Sequence, residues 1–130
     1  MIQRYVDDLE KIIGSYPTIL SSTLQKQIGP DSKTIYLKGS ITFIDLSILE
    51  ISVFAATSRN KIIIDKYRFQ YMDKKCKLVF RYDNAPHHRE LPTFPHHKHL
   101  PDRVNPSLLP SLTDILNEIS AVILGYLPAG

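Results

Sequence analysis

Period-two alternation across residues 34–83 constrains the fold of this chain more than any other feature. In "TIYLKGSITFI", Ile35, Leu37, Ile41 and Phe43 alternate with Tyr36, Lys38, Ser40 and Thr42. Successive side chains of a strand point to opposite faces, so this pattern reads as a strand with one buried face. "ILEISVFA" repeats it, with Leu49, Ile51 and Val53 on one side, and "KIIIDKYRFQY" and "KLVFRYD" follow. The links are short and polar: Asp45 to Ser47, "TSRN" and "MDKKC". Parallel neighbours need crossovers of a dozen or more residues, so links this short dictate antiparallel pairing.

The flanks read differently. Ile2, Tyr5, Val6, Leu9, Ile12 and Ile13 recur at helical spacing, and Gly14, Ser15 and Pro17 end that helix. "SSTLQKQIGPDSK" reads as a connection with at most a short helical turn. "SLLPSLTDILNEISAVILGYL" reads as a second helix. Pro110 falls in its first turn, Leu112, Ile115, Leu116, Ile119 and Ile123 form its apolar stripe, and Gly125 and Pro128 close it. Tyr5 and Tyr126 fall at helical positions suited to a core. The expected architecture is a single α+β domain over residues 1–130. It is a four-stranded antiparallel meander flanked by an N-terminal and a C-terminal helix, with a long His/Pro-rich loop before the last helix.

Composition narrows the function classes. Cys76 is the only cysteine, which excludes an intrachain disulfide and suits a reducing cytoplasm; in its lysine-rich turn it reads as a free surface thiol. No apolar run is long enough to span a membrane, and "MIQRYVDDLEKI" lacks the pattern of a signal peptide. A formal charge of +3 is compatible with an anionic partner. Gly-rich phosphate loops, paired-carboxylate motifs and nucleophile elbows are absent from the sequence.

All five histidines fall in "PHHRELPTFPHHKH": His87, His88, His96, His97 and His99, with Pro86, Pro92 and Pro95 among them. The strand before them alternates. Leu78, Phe80 and Tyr82 share one face, Val79, Arg81 and Asp83 the other. On the preceding strand Tyr67, Phe69 and Tyr71 oppose Lys66, Arg68 and Gln70. A short hairpin sets aromatic against aromatic, and leaves Lys66, Arg68, Arg81 and Asp83 on a polar face leading into the histidines.

Three chemistries suit such a segment. Imidazoles titrate near neutrality and can act as acid and base on a 2′-hydroxyl and leaving oxygen, while cations stabilise phosphorane charge. That reading needs no cofactor. Alternatively, His97 and His99, two apart on an extended chain, hold a divalent metal ion with Asp83. The third reading is structural, with imidazoles bonding backbone groups in a proline-stiffened loop.

"FRYDNAPHHRELPTFPHHKH" resembles the diagnostic segment of the TumE family of small prokaryotic proteins. "KYRFQY", "PSLLPSLTDILNEI" and the opening "RYVDDLEKI" resemble its other shared blocks, so the resemblance covers nearly the whole chain. It implies a toxin of a type II toxin–antitoxin pair whose partner is a helix-turn-helix antitoxin. The shared polar residues map onto Lys66, Tyr67, Arg68, Arg81, Tyr82, Asp83, Asn84, His87, His88, His96, His97 and His99. Two positions depart from the family pattern. Leu46 replaces a turn glycine, and Val53 and Phe54 stand where an acid is common.

The expected activity is therefore RNA cleavage in the cytoplasm. The acid–base candidates are His87, His88, His96, His97 and His99, with Arg81 on phosphate and Asp83 orienting an imidazole. Lys66, Tyr67, Arg68, Tyr82, Asn84 and Lys98 are the expected substrate contacts, Tyr67 or Tyr82 by stacking. The alternatives are a metal-dependent nuclease or hydrolase at the same histidines, and a binding module without catalysis. The partners expected are RNA and the antitoxin, with no membrane; a homodimer is compatible with the sequence.

Overall fold

The computed structural model describes residues 1–125; the expectations for Tyr126 and Pro128 fall outside them. The order of elements is α1 (Ile2–Gly14), β1 (Ile19–Ile28), β2 (Thr34–Phe43), β3 (Ile48–Ser58), β4 (Lys61–Met72), β5 (Leu78–Asp83), β6 (His97–Leu100), β7 (Arg103–Pro106) and α2 (Leu112–Ile123). The strands form one seven-stranded sheet in sequence order, every neighbouring pair antiparallel. This corrects the four-stranded expectation. The four alternating runs are β2 to β5; β1 extends the sheet at one edge, and β6 and β7 extend it at the other.

The three additional strands lack alternation for physical reasons. β1 is an edge strand on which only Ile19 and Leu24 are even partly buried, so "ILSSTLQKQI" needs no apolar stripe. Its pairing depends on Gly39, which faces Leu24: a Cβ there would collide with the carbonyl oxygen of Thr23. β6 and β7 are four-residue strands at the opposite edge, with Pro106 at a strand terminus, where a missing donor is tolerated.

Turn chemistry matches the links. Arg59 and Asn60 both adopt positive φ, 50° and 63°, as a two-residue hairpin with a primed turn requires. Leu46, where the resemblance implies a glycine, sits at φ 68° in the β2–β3 turn. Ser111 rather than Pro110 begins α2. Its hydroxyl accepts from Asp114 N at 3.0 Å, and Asp114 Oδ2 accepts from Ser111 N at 3.2 Å, a reciprocal cap that leaves Pro110 just outside the helix.

Both helices cover the same sheet face. Ile2, Val6 and Ile13 of α1 and Leu112, Ile115, Leu116 and Ile119 of α2 pack on Ile35, Leu37, Leu49, Val53, Phe69, Tyr71, Phe80 and Tyr82. Complete burial of a Leu or Ile side chain contributes about 1.5–3 kcal/mol, so this layer dominates the fold's stability. The opposite face stays polar. Tyr36, Lys38, Glu50, Ser52, Lys66 and Arg68 line a shallow depression there. No helix among the described residues is long and apolar enough to cross a membrane.

Candidate active site

The site forms at the β5–β6 end of the polar face. Antiparallel register sets Asp83 opposite His97 and Arg81 opposite His99, while Arg68 of β4 stands opposite Asp83 on the other side. Opposed residues share a face, so one ladder gathers a carboxylate, two imidazoles and two guanidinium groups. The link between β5 and β6 returns His88 to the same place. His88 holds φ 57°, and its ring centroid lies 5.3 Å from that of His97 and 5.5 Å from that of His99; the latter two rings are 4.6 Å apart.

Asp83 is the hub. It is 5% exposed, and its Oδ1 accepts from Ala85 N at 3.0 Å while its Oδ2 accepts from Arg81 Nε at 2.9 Å. Oδ2 also lies 3.6 Å from His99 Nε2. His97 is 1% exposed, and its Nδ1 stands 2.8 Å from the carbonyl of Pro95. A carbonyl only accepts, so Nδ1 carries the proton, and in the neutral ring Nε2 keeps its lone pair. That Nε2 is 2.9 Å from Asp83 Oδ1 but out of line for a hydrogen bond, and has no other partner. Burial, reinforced by the Arg81 guanidinium, pushes His99 down to about 4, so that ring is neutral near pH 7.

Only three of the five histidines converge. One ligand atom from each of His88, His97 and His99 lies within 4.8 Å of the others. His87 is exposed beside them, its backbone N–H bonded to Ala85 O at 2.7 Å. His96 points to the helix-covered face, where its Nδ1 meets Tyr67 Oη at 2.9 Å and its ring stacks on Tyr67 at 5.7 Å.

The expected substrate contacts divide by face. Lys66 and Arg68 are exposed on the polar side, Arg68 donating to Gln70 Oε1 at 2.5 Å. Tyr67 and Tyr82 are buried on the other, so neither ring is open to a base. Burial raises both phenols above the ordinary tyrosine range, with Asp83 adding to the effect at Tyr67 and Glu118 at Tyr82. Tyr82 donates to Glu118 Oε1 at 2.7 Å, and Lys98 Nζ to Glu118 Oε2 at 2.7 Å, so Lys98 faces α2 rather than the cluster. Asn84 accepts from Tyr67 N at 3.1 Å and donates to Asp65 O at 3.0 Å, closing the β4–β5 ladder.

Two contributors escaped sequence reasoning. The Pro95 carbonyl orients His97, and Glu90 Oε1 lies 3.4 Å from His88 Nδ1. The spacing of Glu90, two residues after His88, is the one signal for it; a backbone carbonyl leaves none.

The cluster can bind an anion through Arg81, hold a cation among three lone pairs, or do both. No curated protein and no solved structure gave a match to the chain. A family model described as toxin TumE matches residues 9–123, a span that includes every residue of the cluster. The chain belongs to the TumE family of toxins.

Proposed function

We propose that this toxin acts by breaking phosphodiester bonds of RNA at the cluster of Arg81, Asp83, His88, His97 and His99. The observation that supports the reading is the convergence of three imidazoles, a carboxylate and a guanidinium beside the open basic face carrying Lys66 and Arg68. Arg81 directs Nε to Asp83, which leaves its terminal nitrogens to meet a phosphate. Lys66 and Arg68 extend the positive surface along the path a strand of RNA would follow. The expected cellular counterpart is a helix-turn-helix antitoxin that restrains the toxin.

Of the chemistries the sequence left open, a relay of protons between two histidines fits less well where His97 is one of the pair. His97 is shut off from solvent and commits Nδ1 to Pro95, so it cannot exchange protons with a substrate while holding that geometry.

The test is cleavage of a defined single-stranded RNA by the purified protein. Arg81→Ala, His88→Ala and His99→Ala should each lower the rate by about 10²–10³-fold, as losing a charge-stabilising group at a reacting centre does. His87→Ala, outside the cluster, should stay within about threefold of the parent, the range of a surface change. Failure to cleave any RNA, or full activity in His88→Ala and His99→Ala, would overturn the proposal.

A further inference from the structure

We infer that His88, His97 and His99 form a binding site for one divalent transition-metal ion of the zinc class, with Asp83 beside it and one position open toward Arg81. The inference concerns the same cluster as the proposed RNA cleavage and rests on that reading only for its use in catalysis.

The buried nitrogen of His97 carries the argument. Its Nε2 has no hydrogen-bond partner, although a polar atom at this depth ordinarily has one. Because Nδ1 is committed to Pro95, the neutral ring presents a lone pair at Nε2, and Asp83 Oδ1 lies 2.9 Å away but off its axis. Two electron-rich atoms at this separation repel unless a proton or a metal ion lies against them, and the off-axis approach is poor for a shared proton. Arg81 does not occupy this place, since it directs its Nε to the other carboxylate oxygen.

The surroundings match what such an ion needs. His88 and His99 bring further nitrogens to within 4.8 Å of His97 and of each other. A tetrahedral ion about 2.0–2.1 Å from each nitrogen would hold them roughly 3.3 Å apart, a closure of side-chain rotation rather than backbone movement. Metal-bound histidines direct the second ring nitrogen to a carbonyl or carboxylate, which fixes the tautomer. His97 already has the Pro95 carbonyl in that place, and His88 has the Glu90 carboxylate at 3.4 Å. Three imidazoles with a carboxylate suit zinc, cobalt or nickel better than magnesium or calcium, which prefer oxygen. Three protein ligands with an open position also distinguish a reactive centre from a closed structural one. Arg81, on the strand opposite His99, stands where a phosphate oxygen entering that position would be held.

The test uses tag-free protein stripped with chelator, with no RNA present. Zinc titrated by calorimetry should bind once per chain at micromolar ion, and cobalt should give the strong visible absorption of a four- or five-coordinate site. His88→Ala, in the loop, and His99→Ala, partly exposed in β6, should each weaken binding by at least about 100-fold, beyond the 10–100-fold that losing an outer partner costs. His87→Ala and His96→Ala should bind as the parent does. Zinc should raise the melting temperature of the parent but not of His88→Ala, which separates lost ligation from lost folding. Absence of stoichiometric binding, or equal binding in the parent and both cluster variants, would overturn the site. Stoichiometric binding without cleavage of any RNA supports the metal site and overturns the ribonuclease reading. RNA cleavage by protein that binds no metal does the reverse.

Discussion

Lys98 and Arg68 are both cations that the chain's pattern offers as RNA contacts, yet they stand on opposite faces of the sheet, and substitution should separate them. Lys98 lies over the rings of Phe80 and Tyr82, 5.1 and 4.9 Å from their centroids, and pairs with Glu118 at 2.7 Å. Lys98→Met keeps the packing of the aliphatic stem and removes the charge. A cation over an aromatic face contributes about 0.5–1 kcal/mol. The ion pair, whose side chains are 21% and 25% exposed, contributes about 1 kcal/mol after screening. The expected loss is about 1.5–2 kcal/mol, or roughly 5–8 °C in melting temperature for a chain of this size. RNA affinity and cleavage should stay within about threefold, since no contact is removed from the polar face. Arg68→Ala, exposed, should show the reverse: stability within about 0.5 kcal/mol, with weaker RNA binding and a shallower dependence on salt. Urea unfolding and RNA binding across a salt series read both quantities on the same samples. A cycle of Lys98→Met with Glu118→Gln should return a coupling of about 1 kcal/mol. A tenfold loss of RNA affinity in Lys98→Met at unchanged stability would refute the assignment of faces.

Three further outcomes follow from the fold. Leu46→Gly should stabilise the protein by about 0.5–1 kcal/mol in urea unfolding, because the left-handed backbone at φ 68° costs a leucine more than glycine loses in chain entropy, and the side chain is exposed. Gly39→Ala should destabilise by about 1–3 kcal/mol and speed hydrogen exchange in β1, since the methyl group meets the backbone of Thr23. Tyr67, Tyr71 and Tyr82 hold their protons more tightly folded than unfolded. Their contribution is fully present below the unfolded value of about 10 and is lost as pH rises above it. Denaturant midpoints should therefore fall beyond about pH 10, and less steeply in Tyr67→Phe than in the parent.

Most of the strands visible in the sequence have one wet and one dry face. β2 to β4 alternate because α1 and α2 bury one side of them and water the other. β1 pairs at the rim with little burial, so pairing rather than pattern defines it, and Gly39 on the neighbouring strand carries the constraint. β6 and β7 lie among prolines in a segment whose composition argues for a loop; backbone bonding of β6 to β5, and of β7 to β6, makes strands of them. The same distinction governs the site. Alternation in "FRYD" was enough to place Arg81 and Asp83 on one face, but sorting the histidines required the register: His97 and His99 follow Asp83 and Arg81, while His96 and Lys98, one residue out of phase, turn toward the helices. Tyr82 and Lys98 read as RNA contacts in the sequence because their partner, Glu118, is distant along the chain and gives no local sign of the pairing.

The attachment of α2 to the back of the site bears on when the cluster can form. Asp83, His97 and His99 emerge from the ribosome before Glu118, which ties Tyr82 and Lys98 of the same two strands, and before Leu112, Ile115, Leu116 and Ile119, which complete the core beneath them. Until α2 has folded against it, the aromatic face of β5 is bare and its strands lack their buttress. A nascent chain therefore carries every residue of the cluster without the support that aligns them. A chain cut before Leu112 should therefore keep every residue of the cluster yet lose the packing that holds β5 and β6 in place.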